Sequence, residues 1–208
     1  MVLLYIPPVQ NLLRREVTAY ASKATGMQIQ VERIDLRFPL NLLVRGVEVI
    51  QQPDTLLSLE SLNVRVQAWP LLKGKVEVDE VTLSQVAVNS ANLIEGMQIK
   101  GVLGRFFLQS HGVDLSNETA VVNRTELYDT HIQILMTDTT TTPKDTTASA
   151  PVNWKVNLHQ LKLKNVSFGM KLPADSMKMA AYIGEATIDD AKADLKNQFY
   201  GLKQFLLS

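Results

Sequence analysis

The chain has 208 residues, enough for one domain or two small ones with a buried core, and 21 Lys/Arg balance 21 Asp/Glu. A zero formal charge without a Lys/Arg cluster gives no electrostatic case for nucleic acid or for a polybasic membrane patch. The absence of cysteine excludes disulfides and thiolate metal sites, and the Val, Leu, Ile and Thr bias favours strands.

The chain opens on an apolar tag, Met1 to Ile6, followed by Pro7 and Pro8. The tag is too short to span a bilayer, which takes about 20 apolar residues, and it lacks the features of a signal peptide. It reads as the last turns of a membrane anchor whose remainder precedes this sequence. Pro8 suits a first helical position. Val9, Leu12, Leu13, Val17, Tyr20, Ala21 and Ala24 then fall on one face at helical spacing, and Gly26 suits a C-cap. The spacing predicts an amphipathic helix over 8–25, within an anchor-and-helix region 1–26.

From Met27 the period changes to two: Met27, Ile29 and Val31 alternate with Gln28, Gln30 and Glu32. The alternation continues to the end of the chain. Turn signals interrupt it at Gln52-Pro53-Asp54, from Pro70 to Gly74, from Gly101 to Gly104 and at His111-Gly112. These features predict a mainly β region over 27–208, an elongated antiparallel meander. The stretch Val76 to Val88 is unusually long for one strand.

One pattern recurs: two alternating apolar residues, a one-residue slip, then two more. It occurs at Leu42, Val44, Val47, Val49; at Val81, Leu83, Val86, Val88; and at Leu161, Leu163, Val166, Phe168. Thr125, Leu127, Thr130, Ile132 is a weaker copy, and Tyr200, Leu202, Phe205, Leu207 closes the chain. The copies start about 40 residues apart, as repeat architectures do. A slip turns side chains to the other face, so a bulge or bend is needed to keep one face apolar. Thr137 to Pro151 has almost nothing to bury and predicts a disordered Thr-rich loop inserted into one continuous sheet. The last twenty residues also fit a helix, but Tyr200 to Leu207 carries the pattern, so a strand is expected.

No residues form a recognisable catalytic constellation. His111, His131 and His159 have no partner at metal-site spacing, so loop or surface positions are expected and no metal or cofactor is assigned. Asp189-Asp190 reads as a turn. Ser84, Ser90 and Ser167 lack nucleophile-elbow glycines, and Gly101 to Gly104 lacks the Lys and Ser/Thr of a phosphate loop. Trp69 and Trp154 read as core or interface anchors at strand edges.

Several stretches together resemble the start of the TamB/AsmA-like family of bacterial envelope proteins. Leu4 to Gln10 is similar to the stretch just after that family's inner-membrane anchor. The helix at 8–25 followed by Thr25 to Ile34 resembles its helix-then-strand opening, Leu43 to Val49 resembles its next strand, and Leu56 to Val66 follows in the expected place. Pro70 to Val78 with Val81 to Val88 resembles a hairpin of the family, and the Thr-rich insertion resembles its Bacteroidetes members. The likeness is good over 1–110 and looser beyond. It implies a sheet folded lengthwise into a β-taco-like groove, apolar inside and polar outside. It also implies an inner-membrane-anchored, periplasmic, non-enzymatic conduit for phospholipid between the inner and outer membranes. The alternative implied is a scaffold for outer-membrane protein assembly or secretion. Its partner would be an Omp85-type barrel reached through a carboxyl-terminal region beyond this sequence. Val76, Val78, Val86, Val88, Val166 and Phe168 are the expected groove lining. An unrelated adhesin or carbohydrate-binding β domain ranks last, because Phe, Trp and Tyr are few.

Overall fold

The computed structural model describes residues 15, 18, 19, 22, 23, 25–38, 40–72, 77–91, 93, 94, 96–114, 118–136, 153–172 and 177–207. Nine strands form one sheet in chain order: β1 (Gln28–Arg37), β2 (Asn41–Gln51), β3 (Asp54–Val66), β4 (Val78–Asn89), β5 (Met97–Asp114), β6 (Thr119–Met136), β7 (Lys155–Leu172), β8 (Met177–Asp194) and β9 (Phe199–Leu207). One short helix, α1 (Ala68–Leu72), lies between β3 and β4. Arg15, Thr18, Ala19, Ser22, Lys23 and Thr25 are helical, while most of the expected 8–25 helix lies outside the described residues. The expected strand at the end of the chain is present as β9.

Each strand contacts only its sheet neighbours to any extent, and among the described residues no second layer covers the sheet. None of the described large side chains is fully buried. The buried apolar side chains are Ile34, Leu56, Leu59, Ala120, Val122 and Ala186, and Thr130, Ser110, Glu126, Asp35 and Ser90 are buried as well.

The structure corrects several expectations. The sheet is continuous across the Thr-rich segment, but β6 and β7 run parallel, with Thr125 beside Leu161 and Ile132 beside Phe168. A parallel pair needs a crossover of a dozen or more residues, and the connection 137–154 supplies that length. Its Thr-rich part lies outside the described residues.

Gly101 to Gly104 and His111-Gly112 are strand, not turns, and the chain reverses before Met97 instead. Gly104 reports close approach: a Cβ there would lie 2.8 Å from the Asp129 Cβ. Val78 and Val81 share β4, so no hairpin separates them, and the strand starts at Val78. Asp189-Asp190 lies inside β8, where Asp190 has φ of 52°. A left-handed residue within a continuous strand, not a turn, accommodates that pair. The three histidines are on strands β5, β6 and β7; His111 and His159 are exposed at the surface, one of the two expected placements, and His131 is half-buried. Trp69 is in α1 and 75% exposed, so it anchors no core.

Candidate functional site: an uncovered apolar face

Four of the five slips in the sequence pattern coincide with a left-handed residue. Gly46, Gln85, Asp129 and Asn165, each sitting at one slip, have φ of 58°, 49°, 51° and 54°. Each breaks the period-two alternation once, so the apolar pairs on either side return to the same face.

The alternative would turn a pair such as Val166 and Phe168 to the polar side. At about 1.5–3 kcal/mol per buried side chain, that costs more than the roughly 1–2 kcal/mol of a left-handed non-glycine residue. The short polar side chains of Asp129 and Asn165 suit that conformation, and Asn165 Nδ2 donates to Asp129 Oδ1 at 2.6 Å.

The strand register aligns these left-handed residues and is unchanged across each of them. The residues flanking Gly46, Gln85, Asp129 and Asn165 pair strand to strand from β1 to β8. They bracket one transverse line through Glu32, Gly46, Glu60, Gln85, Gly104, Asp129, Asn165 and Gly184. A second line crosses β7, β8 and β9 at His159, Asp190 and Lys203. There the Asp190 carboxylate accepts from Lys203 Nζ at 3.0 Å and meets His159 Nδ1 at 3.3 Å. Those contacts, that to Lys203 first, hold its pKa below the usual carboxylate value. On β7 the two lines give apolar positions spaced two, three, two, three, two: Val156, Leu158, Leu161, Leu163, Val166, Phe168.

Apolar rows therefore run across the sheet on one face. On one side of the main line the register joins Ile34, Val44, Leu62, Leu83, Phe106, Leu127, Leu163, Ala186 and Leu207. On the other side it joins Val31, Val47, Leu59, Val86, Leu103, Thr130, Val166 and Ile183. The next row holds Ile29, Val49, Leu57, Val88, Gly101, Ile132, Phe168 and Ala181. The opposite face carries Arg33, Arg45, Ser61, Ser84, Arg105, Tyr128, Lys164 and Glu185 in one row.

Of the lining residues expected from sequence, Val86 and Val166 share one row, and Val88 and Phe168 share the next. Val78 pairs with Val66 across a register shift at the start of β4. Val76 lies outside the described residues. Sequence reasoning missed Gly101 and Ile132. Gly101 has no side chain between Val88 and Ile132, which are 40% and 38% exposed, so the row has a notch there. Its apparent turn signal concealed it.

Other chemistry is sparse. His131 Nδ1 and Ser167 Oγ are 2.7 Å apart on the polar face, and among the described residues no carboxylate is bonded to the His131 ring. No cluster of three or more His, Cys, Asp or Glu able to hold a metal is present among the described residues. No described helix is long and apolar enough to cross a membrane. No family model matches the chain, and no curated protein matches it.

Proposed function

We propose that this chain is the periplasmic segment of an inner-membrane-anchored envelope-biogenesis protein. On this reading its apolar face is a conduit for phospholipid acyl chains passing between the inner and outer membranes. The observation that carries the reading is the set of apolar rows running over eight strands, interrupted only at Thr130 and Gly101, with no second layer over them among the described residues. Eight strands at about 4.8 Å spacing make a track roughly 34 Å long. Each acyl CH₂ moved onto it from water gains about 0.8 kcal/mol.

Left-handed residues aligned on one line interrupt the extended strands there and let the sheet bend along that line. Such a crease supports a groove of the kind implied by the resemblance to the TamB/AsmA-like family, built from repeated strand units. The polar opposite face is consistent with an aqueous compartment. The groove needs no catalytic group.

The test is purification without detergent, solvent extraction and lipid mass spectrometry. The control is Val86→Asp/Val88→Asp, with its fold checked by circular dichroism. Near-stoichiometric phospholipid in the parent, reduced about tenfold in the variant, is the expected result, since the two charges disfavour a buried acyl chain. A well-folded, lipid-free parent overturns the proposal, as does a variant that retains its lipid.

A further inference from the structure

The lysines of β7 on the polar face meet carboxylates, with one exception. Lys155 stands opposite Asp194, with Nζ 3.7 Å from Oδ2. Lys164 stands opposite Glu185, and Lys162 Nζ lies 3.2 Å from Glu185 Oε1. Lys171 instead has Lys178 of β8 as its direct partner. Like charges directly opposite in an antiparallel pair repel, so this pairing opposes the fold unless an anion lies against it. Among the described residues neither ammonium forms an ion pair.

A third lysine shares the place. One row of the register joins Lys100, Gln133, Gly169 and Ala180 across β5 to β8. Two residues along each strand, the next row on the same face joins Gln98, Leu135, Lys171 and Lys178. Gly169 and Ala180 are neighbours and raise almost no side chain above the sheet. A Cβ at Gly169 would meet nothing closer than 3.9 Å. The result is an open depression of about 420 Å³ that Lys100, Lys171 and Lys178 border, with no Asp or Glu among its described lining residues. Gln98 and Gln133 add amide donors. The depression lies on a face over paired strands, so it depends on neither edge of the sheet. The cluster is invisible along the chain because its lysines come from three strands.

We propose that this depression is a binding site for a phosphate monoester. Such a group brings three acceptor oxygens and a charge of about −1.5 to −2, which suits three ammonium groups better than the two oxygens and single charge of a carboxylate. Lysine holds phosphate as a point charge on a long stem, so it needs no fixed fork geometry. The same chemistry is carried by a soluble ester and by a lipid headgroup. The site is on the polar face and stands whether or not the apolar rows carry lipid.

The test uses two probes that share one phosphate group, at one fixed ionic strength. Glycerol 3-phosphate is titrated calorimetrically, and vesicles of phosphatidic acid in phosphatidylcholine are scored by flotation. Lys171→Gln/Lys178→Gln is compared with Lys155→Gln/Lys164→Gln, which removes the same charge elsewhere on β7 or its partner strand. The first variant is expected to bind about thirtyfold more weakly than the parent, at roughly fivefold for each lysine lost, and the second within about twofold. Without phosphate the first variant should have a urea midpoint no lower than the parent's, because a like-charge pair is gone. Gly169→Leu keeps every charge, fills the floor and is expected to lose binding as well. Binding that follows this pattern with the vesicles alone assigns the site to a lipid headgroup, and with glycerol 3-phosphate to a soluble ester. A parent that binds neither probe overturns the proposal, as does binding that both lysine variants weaken equally. Vesicles held by the apolar rows alone would still bind Lys171→Gln/Lys178→Gln, which also overturns it, so its failure and that of the conduit reading are distinguishable.

Discussion

Three glycine substitutions separate the physical terms that shape the transverse line. Gly169 has no positive φ, and a Cβ there would meet nothing closer than the Gln133 Cγ at 3.9 Å. Gly169→Ala should therefore be neutral or stabilising by up to about 1 kcal/mol, because alanine loses less backbone entropy on folding. Gly104→Ala isolates close approach: its Cβ would press on the Asp129 Cβ, and overpacking of this kind costs about 1–3 kcal/mol. Gly46→Ala combines both terms. Its φ of 58° costs a non-glycine residue about 1–2 kcal/mol, and its Cβ would collide with the Glu32 side chain. A total of about 2–4 kcal/mol is expected, and adding Glu32→Ala should return it to about 1–2 kcal/mol once the cost of Glu32→Ala by itself is subtracted. Urea unfolding followed by circular dichroism reads each difference. A Gly46→Ala variant as mild as Gly169→Ala would refute the left-handed-residue argument. Failure of Glu32→Ala to relieve Gly46→Ala would refute the contact argument.

At another left-handed residue, Asn165→Gly should stay within about 1 kcal/mol of the parent, because glycine keeps φ of 54°. Asn165→Val should lose about 2–4 kcal/mol by urea unfolding, because a β-branched residue resists that φ and the bond to Asp129 is lost. Ala186 is 1% exposed between Leu163 and Leu207. Ala186→Leu should destabilise by about 1–3 kcal/mol, seen as a lower urea midpoint. Asp190 and Asp194 both have lowered pKa values. Lys203 Nζ bonding is the main cause at Asp190 and the Asn197 backbone N–H at Asp194. A carboxylate depressed in the folded state stabilises it above the unfolded-state pKa of about 3.9, and that stability is lost as pH falls through the lower folded value. The urea midpoint should therefore hold between about pH 7 and 5 and fall below about pH 4, less steeply in Asp190→Asn.

The one-residue slip between Leu83 and Val86 was legible in the sequence, and the structure puts Gln85 there with φ of 49°. The alignment of that left-handed residue with Gly46, Asp129 and Asn165 was not legible. Register between strands is a non-local property, and Gln85 and Glu60 are ordinary residue types for any exposed strand position. The parallel pairing of β6 with β7 was hidden for a similar reason. Thr125, Leu127, Thr130 and Ile132 alternate identically whichever way the neighbour runs, and only a long connection distinguishes the two directions. Gly101 and Gly104 misled because glycine marks a turn and a close backbone approach with the same letter. Asp189-Asp190 misled because two adjacent carboxylates suit a turn as well as a left-handed position within a strand.

A single sheet with no second layer among the described residues has an energetic consequence at the notch beside Gly101. Strands that touch only their neighbours gain stability neighbour by neighbour, as repeat proteins do. The apolar surface left in water, Val88 and Ile132 included, is then available for an apolar ligand to cover. A Cβ at Gly101 would meet the His131 carbonyl oxygen at 3.4 Å and the Ile132 Cγ1 at 3.6 Å, both ordinary contacts. Gly101→Ile should therefore fill the notch. Without lipid it should gain stability of about 1 kcal/mol, from lower unfolded-state entropy and added burial. It should also carry less co-purified lipid than the parent, because the added side chain occupies space an acyl chain would use. A sheet whose face is covered by protein would respond in the opposite sense, since isoleucine would clash with the covering layer and destabilise the fold. Urea midpoint and bound lipid measured on this one variant thus distinguish an uncovered, lipid-bearing face from a closed core.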